Sequence, residues 1–508
     1  MKYIVALDVG TTTVKCHVLN DKAVSVGSAV KKVELLYPKP GYVEIDQDDL
    51  WDSIVTVLKE AVNASNIDVK SIACLGISTQ RNSCLSWNIE TGKYYHKIIT
   101  WKDLRADSMV KKWNSSLVLK SLRTLSYFLY TISRRKKFLA GSMFKLMNSQ
   151  MTLRFNWALQ NIPGLKEDGL NGKAVFGGID CWILYKLTGK HITDYSCASA
   201  SGLFDPFSMS WAPWAINLFK IPWMMMPKVV DTAGDFGCTP EDIFGISVPI
   251  MCSMADQSAS LFGSGCFQRG DLKVTLGTGT FLDVNTGKEA HASISGLYPL
   301  VGWKIDSELV YMAEGLSNDT GTLVEWAKAL EMINDPSEMS LLSNSVKNSD
   351  GVYFVPAFSG LQAPINDHTA ATGFLGVKPT TRKAHMIRSI SESIVFRILL
   401  LYNALQKETR QKYFSIRVDG GVSKDDFVLQ LLADLTGLPV ERPSNTEMSI
   451  FGVAFLSGLQ CGIWKNRDEL INLRNVDTVF KPNKNRMLEY QSTINQWNRA
   501  VDRFQNWY

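Results

Sequence analysis

The sequence predicts an α/β protein of two domains, and two observations carry the prediction. The chain runs to 508 residues, more than one hydrophobic core usually organises. Its two halves also open alike. "YIVALDVGTTTVK" near the start and "LKVTLGTGTFLDVNTG" at 272–287 both read strand, Gly/Thr turn, strand, and helix and strand signals follow each. The joint falls in "GISVPIMCSMADQSASLFGSG" (245–265), which divides the chain into 1–263 and 264–508.

In the first half, "YIVALDV", "TVKCHVLN" and "AVSVGSAVKKVEL" are apolar runs bounded by Gly and Thr, a meander of strands. "GYVEIDQDDLWDSIVTVLKEAVNAS" predicts a helix capped by Asp46, with Leu50, Trp51, Ile54, Leu58, Ala61 and Val62 on one face. "SIACLGIS" (71–78) is a buried strand, and "CLSWNIETGKYY" (84–95) a hairpin turning at Thr91-Gly92. In the second half, "ELVYMAEG" is a strand and "LVEWAKALEMI" (323–333) a helix. "HMIRSISESIVFRILLLYNALQK" (385–407) is a long, mostly apolar helix for a buried layer, and "FSIRVDGGVSKDDFVLQLLADLTG" (414–437) reads strand, glycine turn, helix.

Composition excludes several classes. Hydrophobic residues make up 45% and charged residues 20%, ordinary for a soluble globular chain, and a formal charge of +5 gives no ground for a nucleic-acid partner. Nine scattered cysteines without a Cys-x-x-Cys pair suit reduced thiols and argue against a disulfide framework or a zinc site. Asp8 and Lys15 break any secretory signal. The apolar runs "LSYFLYTI" (125–132) and "RILLLYNAL" (397–405) fall short of the roughly 18 residues of a membrane span. The expectation is a soluble, cytoplasmic protein. "SRRKKF" (133–138) reads as a solvated helix end, with contact to an anionic surface or a nucleotide as the alternative.

Phosphate oxygens need several donors converging from a backbone that can approach closely, which glycine permits and threonine hydroxyls extend. "DVGTTTVK" offers such a turn, with Lys15 behind it as a point charge and Asp8 at the strand end as a magnesium ligand, through water. Alone, the stretch fits a ligand-free hairpin equally well. "TLGTGTF" (275–281) is a second such turn. "VDGGVSKDDF" (418–427) is a third, before a helix N-terminus that can offer amides to a phosphate. None matches a Walker-type P-loop or a GxGxxG fingerprint. Three such turns over two halves predict a nucleotide clamped in an interdomain cleft.

The motif set resembles the FGGY carbohydrate kinases, of the actin, hexokinase and heat-shock ATPase superfamily, and within them the glycerol kinases. The likeness rests on "PGYVEID..LW" (40–51), "STQRNS" (78–83), "TWKDLRA" (100–106), "GGIDCWILYKLTG" (177–189), "TDYSCAS" (193–199), "ADQSASLFG" (255–263), "GVYFVPAFSGLQAP" (351–364), "ERPS" (441–444) and "FGVAFLSGLQCGIW" (451–464). With the three turns, these follow the family's order nearly end to end. "TLGTGTFLDVNTG" and "TWKDLRA" point to a divergent animal branch.

The resemblance implies two actin-like ATPase (ribonuclease H-like) domains with a catalytic cleft between them. It further implies ATP and Mg²⁺, transfer of phosphate to glycerol to give sn-glycerol 3-phosphate, and assembly into a homo-oligomer. Thr11, Thr12, Thr13 and Lys15 would meet the nucleotide phosphates with Thr278 opposite, and Gly321 and Gly421 would border the adenosine. Glu325 stands where the family commonly has Gln, and Asp425 where it has Asn. Asp256 falls at the catalytic base. Arg81, Asn82, Trp101, Gln257 and Phe281 would line the polyol pocket with Asp256, and Asp8 would sit near the metal.

Two departures touch substrate recognition. In Gln80-Arg81-Asn82, Asn82 replaces a glutamate, so a charge-assisted hydrogen bond to a hydroxyl becomes a neutral one, a loss on the order of 1 kcal/mol or about five- to tenfold in affinity. The family's pocket tyrosine has no counterpart in "LAGSMFKLMNSQMTL" (139–153). The sequence therefore leaves two alternatives to glycerol phosphorylation. One is a kinase of another small polyol or sugar, and the other a nucleotide-binding regulatory protein with little turnover.

Overall fold

Two mixed sheets frame the protein, whose computed structural model describes residues 2–508. The first sheet runs in the order Ala233–Cys238, Pro249–Ala255, Ile72–Thr79, Tyr3–Val9, Thr13–Leu19, Ser25–Lys32. The second runs Tyr298–Ile305, Glu308–Ser317, Thr280–Gly287, Leu272–Leu276, Ile416–Asp419, Val440–Pro443, Val476–Phe480. In each, an antiparallel meander is continued by two parallel strands. Tyr3–Val9 pairs with Ile72–Thr79 and that with Pro249–Ala255, just as Leu272–Leu276 pairs with Ile416–Asp419 and that with Val440–Pro443. This is the ribonuclease H-like arrangement used twice, and the repeated opening in the sequence is its first hairpin.

Ile4, Val5, Ala6, Leu7 and Val9 are all buried, because helices cover both faces of a sheet whose central strands are parallel. The helix Gln47–Ser65 starts where the Asp46 carboxylate accepts the Asp48 and Asp49 N–H groups, and stops at Asn66 in the left-handed conformation. Leu50, Ile54, Leu58, Ala61 and Val62 are buried as the spacing predicts. Val57 joins them, while Trp51 is half-buried, edge-on to Trp182. The long helix Lys383–Thr409 buries Ile387, Ile390, Ile394, Ile398, Leu401 and Leu405 in the second core.

The halves meet at two helices. Asp256–Gly263 follows directly from the strand Pro249–Ala255, and Met448–Gln460, from the second half, lies on the first sheet. Glycines set how closely they approach. A Cβ at Gly452 would stand 1.8 Å from the Ala259 carbonyl oxygen, and one at Gly76 would stand 2.6 Å from that of Val453.

Between strands of the first sheet the chain inserts a small sheet ordered Glu44–Ile45, Ile98–Ile99, Cys84–Asn88, Ala174–Gly178. It also inserts helices, among them the pair Leu117–Ser133 and Lys136–Met143. The basic run lies where these two meet. Arg134 ends the first in the left-handed conformation and Lys136 begins the second, so the segment is a turn between helices with its cations exposed.

Candidate active site

Strand register assembles the site. Val9, Thr79 and Ala255 are neighbours across three adjacent strands, so the residues that follow them converge. These are Gly10–Thr13, Gln80–Asn82 and Asp256, which are far apart in sequence.

The first turn is braced from that neighbourhood. Gly10 N–H donates to the Thr13 carbonyl (2.9 Å). Gln80 Nε2 donates to the Gly10 carbonyl (3.0 Å), and its Oε1 accepts from Thr11 Oγ1 (3.2 Å) and Ser83 Oγ (3.0 Å). The Trp101 indole N–H donates to Thr11 Oγ1 (2.8 Å), tying the expected pocket wall to the expected phosphate turn. Thr12 is exposed and Thr13 half-buried. Lys15 forms an ion pair at 2.6 Å with Glu447, just before the helix Met448–Gln460, so this pair links the two halves.

Asp8 lies between Lys15 and Ser78 in register, and Ser78 Oγ donates to its Oδ1 (2.7 Å). Burial, aided by the charges of Asp256 and Glu447, pushes its pKa up to about 7 against the Ser78 hydrogen bond and Lys15. Asp8, half-buried at the strand end, and Ser78 Oγ offer only oxygen atoms, the donor type that a hard divalent cation such as Mg²⁺ takes.

Asp256 opens its helix and its Oδ1 accepts the Gln257 N–H (2.8 Å). Arg81 Nε is 3.4 Å from the same oxygen, and 26% of the Asp256 side-chain surface stays open. Burial raises its pKa above the usual carboxylate value while Arg81 pulls it down. The other end of Arg81 pairs with Glu314 of the second sheet (2.7 Å), and its guanidinium carbon lies 5.8 Å from the Phe281 ring centroid. Arg81 therefore bridges the two halves. Burial lifts the Glu314 carboxyl to about 7, with Asp283 and Asp256 adding to the rise and Arg81 opposing it.

Behind Asp256 lies a buried polar network. Lys273 Nζ reaches Gln257 Oε1 (2.8 Å), Ser260 Oγ (3.0 Å), Thr275 Oγ1 (2.7 Å) and Asp283 Oδ2 (2.8 Å). Asp419 accepts from Ser260 Oγ (2.6 Å) and from Thr275 Oγ1. Burial alone would depress the lysine pKa. Asp283 and Asp419 reverse that, and the net shift is upward. A buried cation persists only when paired in this way.

Asn82 sits at φ +66°, a left-handed conformation that asparagine tolerates. Its carbonyl accepts from Arg154 (2.7 Å), while its side-chain Oδ1 is buried without a partner. The stretch that lacks the family tyrosine receives one from the other half. Tyr298, opposite Glu314 in register, points its hydroxyl at Met147 Sδ (2.8 Å).

On the second half, Thr278 turns between Gly277 and Gly279, and its carbonyl accepts the Thr320 N–H (3.2 Å). Gly321 N–H donates to the Gly277 carbonyl (3.0 Å), so the helix Gly321–Ala329 starts on this turn, with Glu325 exposed along it. Gly420, at φ +86°, passes so near the Leu276 carbonyl that a Cβ would be 2.6 Å from its oxygen, and Gly421 faces open space. Asp425 is the N-cap of Asp426–Thr436 and accepts the Val428 N–H (3.1 Å), so its carboxylate serves the helix.

Sequence reasoning had no role for Glu314, Lys273, Asp283, Asp419 or Glu447. The available signal was a charge inside an otherwise apolar strand. Lys273 and Asp283 flank the second turn in this way, and Glu314 is the next-to-last residue of "ELVYMAEG". Such a charge is buried only with a partner.

Residues 3–263 match the FGGY family of carbohydrate kinases, N-terminal domain, and residues 272–461 its C-terminal domain. The chain is 47% identical to glycerol kinase 5 of Danio rerio, covering 100% of this chain and 97% of that one. It is 35% identical to glycerol kinase 2 of Thermotoga maritima, covering 100% and 99%. Among solved structures, glycerol kinase of Plasmodium falciparum with ADP superposes with a TM-score of 0.87 at 28% identity, covering 99% and 98%.

Proposed function

Since the chain belongs to the FGGY family of carbohydrate kinases, transferases that use ATP, we propose that it transfers the γ-phosphoryl group of ATP to glycerol, giving sn-glycerol 3-phosphate. The observation that carries the reading is Asp256. It is a partly open carboxylate at a helix start, held by Arg81 and placed where both halves meet. As base it takes the proton of the attacking hydroxyl as the oxygen–phosphorus bond forms and the ADP oxygen leaves.

Arg81 and Gln257 hold substrate hydroxyls, with Trp101 and Phe281 as walls and Asn82 offering its free Oδ1. Thr11, Thr12, Thr13, Lys15 and Thr278 receive the phosphates, and Gly321, Glu325, Gly421 and Asp425 border the adenosine. Asp8 would hold Mg²⁺, which supplies charge neutralisation at the β- and γ-phosphates. We place the domain division after residue 263. The nine free cysteines support a reducing, cytoplasmic setting, and among the described residues no helix is long and apolar enough to cross a membrane.

Asn82 favours a second reading, the same transfer to another small polyol or sugar. Its neutral acceptor suits a hydroxyl pattern that needs no carboxylate. ADP release with glycerol and a polyol panel, wild type beside Asp256→Ala, tests both. Turnover with glycerol that falls roughly a hundredfold to ten-thousandfold in the variant supports the first. Turnover confined to another polyol selects the second. ATP binding without stimulated turnover would overturn the catalytic reading in favour of a regulatory protein.

A further inference from the structure

Residues 108–166 contain eleven Lys or Arg and no Asp or Glu, although the whole chain carries only +5. At the centre of this stretch is the hairpin of Leu117–Ser133 and Lys136–Met143. Its helices press together where Gly141 meets Ser126, a Cβ at Gly141 falling 2.8 Å from Ser126 Oγ. The first helix buries only Leu119 fully. At 100° per residue, Leu117, Val118, Leu125, Phe128 and Ile132 share one stripe about 100° wide. That stripe faces outward, with Leu117 80%, Phe128 59% and Ile132 68% exposed. It is about 20 Å long and ends at Arg134, Arg135, Lys136 and Lys137. Lys136 pairs with Glu289 (2.6 Å), whereas Arg134, Arg135 and Lys137 have no ion-pair partner among the described residues.

We propose that this hairpin docks on an anionic lipid bilayer surface, the stripe entering the headgroup boundary and the basic run resting on the lipid phosphates. Charge complementarity selects this occupant. An apolar helix face edged by unpaired cations is attracted to a surface that is negative outside and apolar beneath. A second copy of the chain does not fit, because a two-fold contact would set this face against one that also lacks every acidic residue between 108 and 166.

Vesicle flotation of the full chain tests the proposal, using phosphatidylcholine alone and phosphatidylcholine mixed with phosphatidylserine. The wild type is expected to float with the anionic vesicles, weakly with the neutral ones, and less as salt rises. Leu125→Ser with Phe128→Ser and Ile132→Ser is expected to abolish flotation. Its melting temperature and ADP release should be unchanged, since these side chains are already in solvent. Arg134→Gln with Arg135→Gln and Lys137→Gln should weaken partitioning about a hundredfold, at about fivefold per cation. No flotation of the wild type overturns the proposal, as does equal flotation of the serine variant. Two further outcomes reassign the face to a protein partner and also overturn it: a wild-type dimer that the serine variant dissolves, or retention by polyglutamate without retention by vesicles.

Discussion

Gly452→Ala puts one methyl group into the contact that joins the two halves. The new Cβ would stand 1.8 Å from the Ala259 carbonyl oxygen, 2.5 Å from its carbon and 2.9 Å from its Cα. Real Cβ atoms essentially never come nearer than 3.0 Å, so the helices Asp256–Gly263 and Met448–Gln460 must separate by about 1.2 Å. Two effects oppose each other. Alanine is the better helix former by about 1 kcal/mol. Overpacking usually costs about 1–3 kcal/mol even where side chains can give way, and here the obstacle is helix backbone, which places the cost at about 3 kcal/mol or above. The clash wins by about 2 kcal/mol, lowering the melting temperature by about 4–8 °C for domains of this size. Activity falls further than stability. Ala259 lies three residues from Asp256, and displacing the proposed base by about 1 Å would cost about a hundredfold in rate. Thermal melts and steady-state ADP release, wild type beside variant, measure both. A variant that melts at or above the wild-type temperature with undiminished kcat refutes the account of the joint.

Asn82→Glu restores the family's carboxylate. KM for glycerol should fall by about five- to tenfold, while the left-handed backbone at φ +66° penalises glutamate by about 1 kcal/mol, read as a lower melting temperature. Lys273→Met removes the cation that holds Asp283, Asp419 and Gln257 together. Breaking a buried pair typically costs about 3–5 kcal/mol, so denaturant unfolding should show a loss of that size. The acid limb of the rate profile should lie above the ordinary carboxylate range, because burial raises Asp256 and lifts Glu314 to about 7. The proposed base would work ionised and Arg81 is held by ionised Glu314, so kcat/KM should rise as pH rises toward 7. A profile flat down to pH about 4 contradicts this.

The two-domain plan, its paired hairpins and most helices were legible in the sequence because they rest on local signals. Apolar runs of strand length, the Asp46 cap and the Gly/Thr turns each act within a few residues. The run "MADQ" and the family resemblance single out Asp256 as the proposed base, and its place at a strand end singles out Asp8 as the proposed metal ligand. Spacing alone places Trp51 on the buried face, yet Trp51 stays half-buried while Val57 of the same helix is buried. The sequence reads "SRRKKF" as a helix end, and the turn into Lys136–Met143 shows that the charges crown a hairpin with an apolar outer face.

What the tertiary structure decided is which distant charges come into contact. Glu314 meets Arg81 across 233 residues and Glu447 meets Lys15 across 432. Lys273 draws Asp283 and Gln257 together while Asp419 closes on Ser260. No local rule sets these pairings. They follow from strand register and from two helices brought into contact by glycine, and burial in that joint forces each charge to find a partner. The sequence by itself determined the two Gly/Thr turns that open the halves. Only the fold placed Asn82 in a left-handed turn with an unpartnered acceptor, Arg81 between two carboxylates, and Tyr298 over the stretch that lacks a tyrosine of its own.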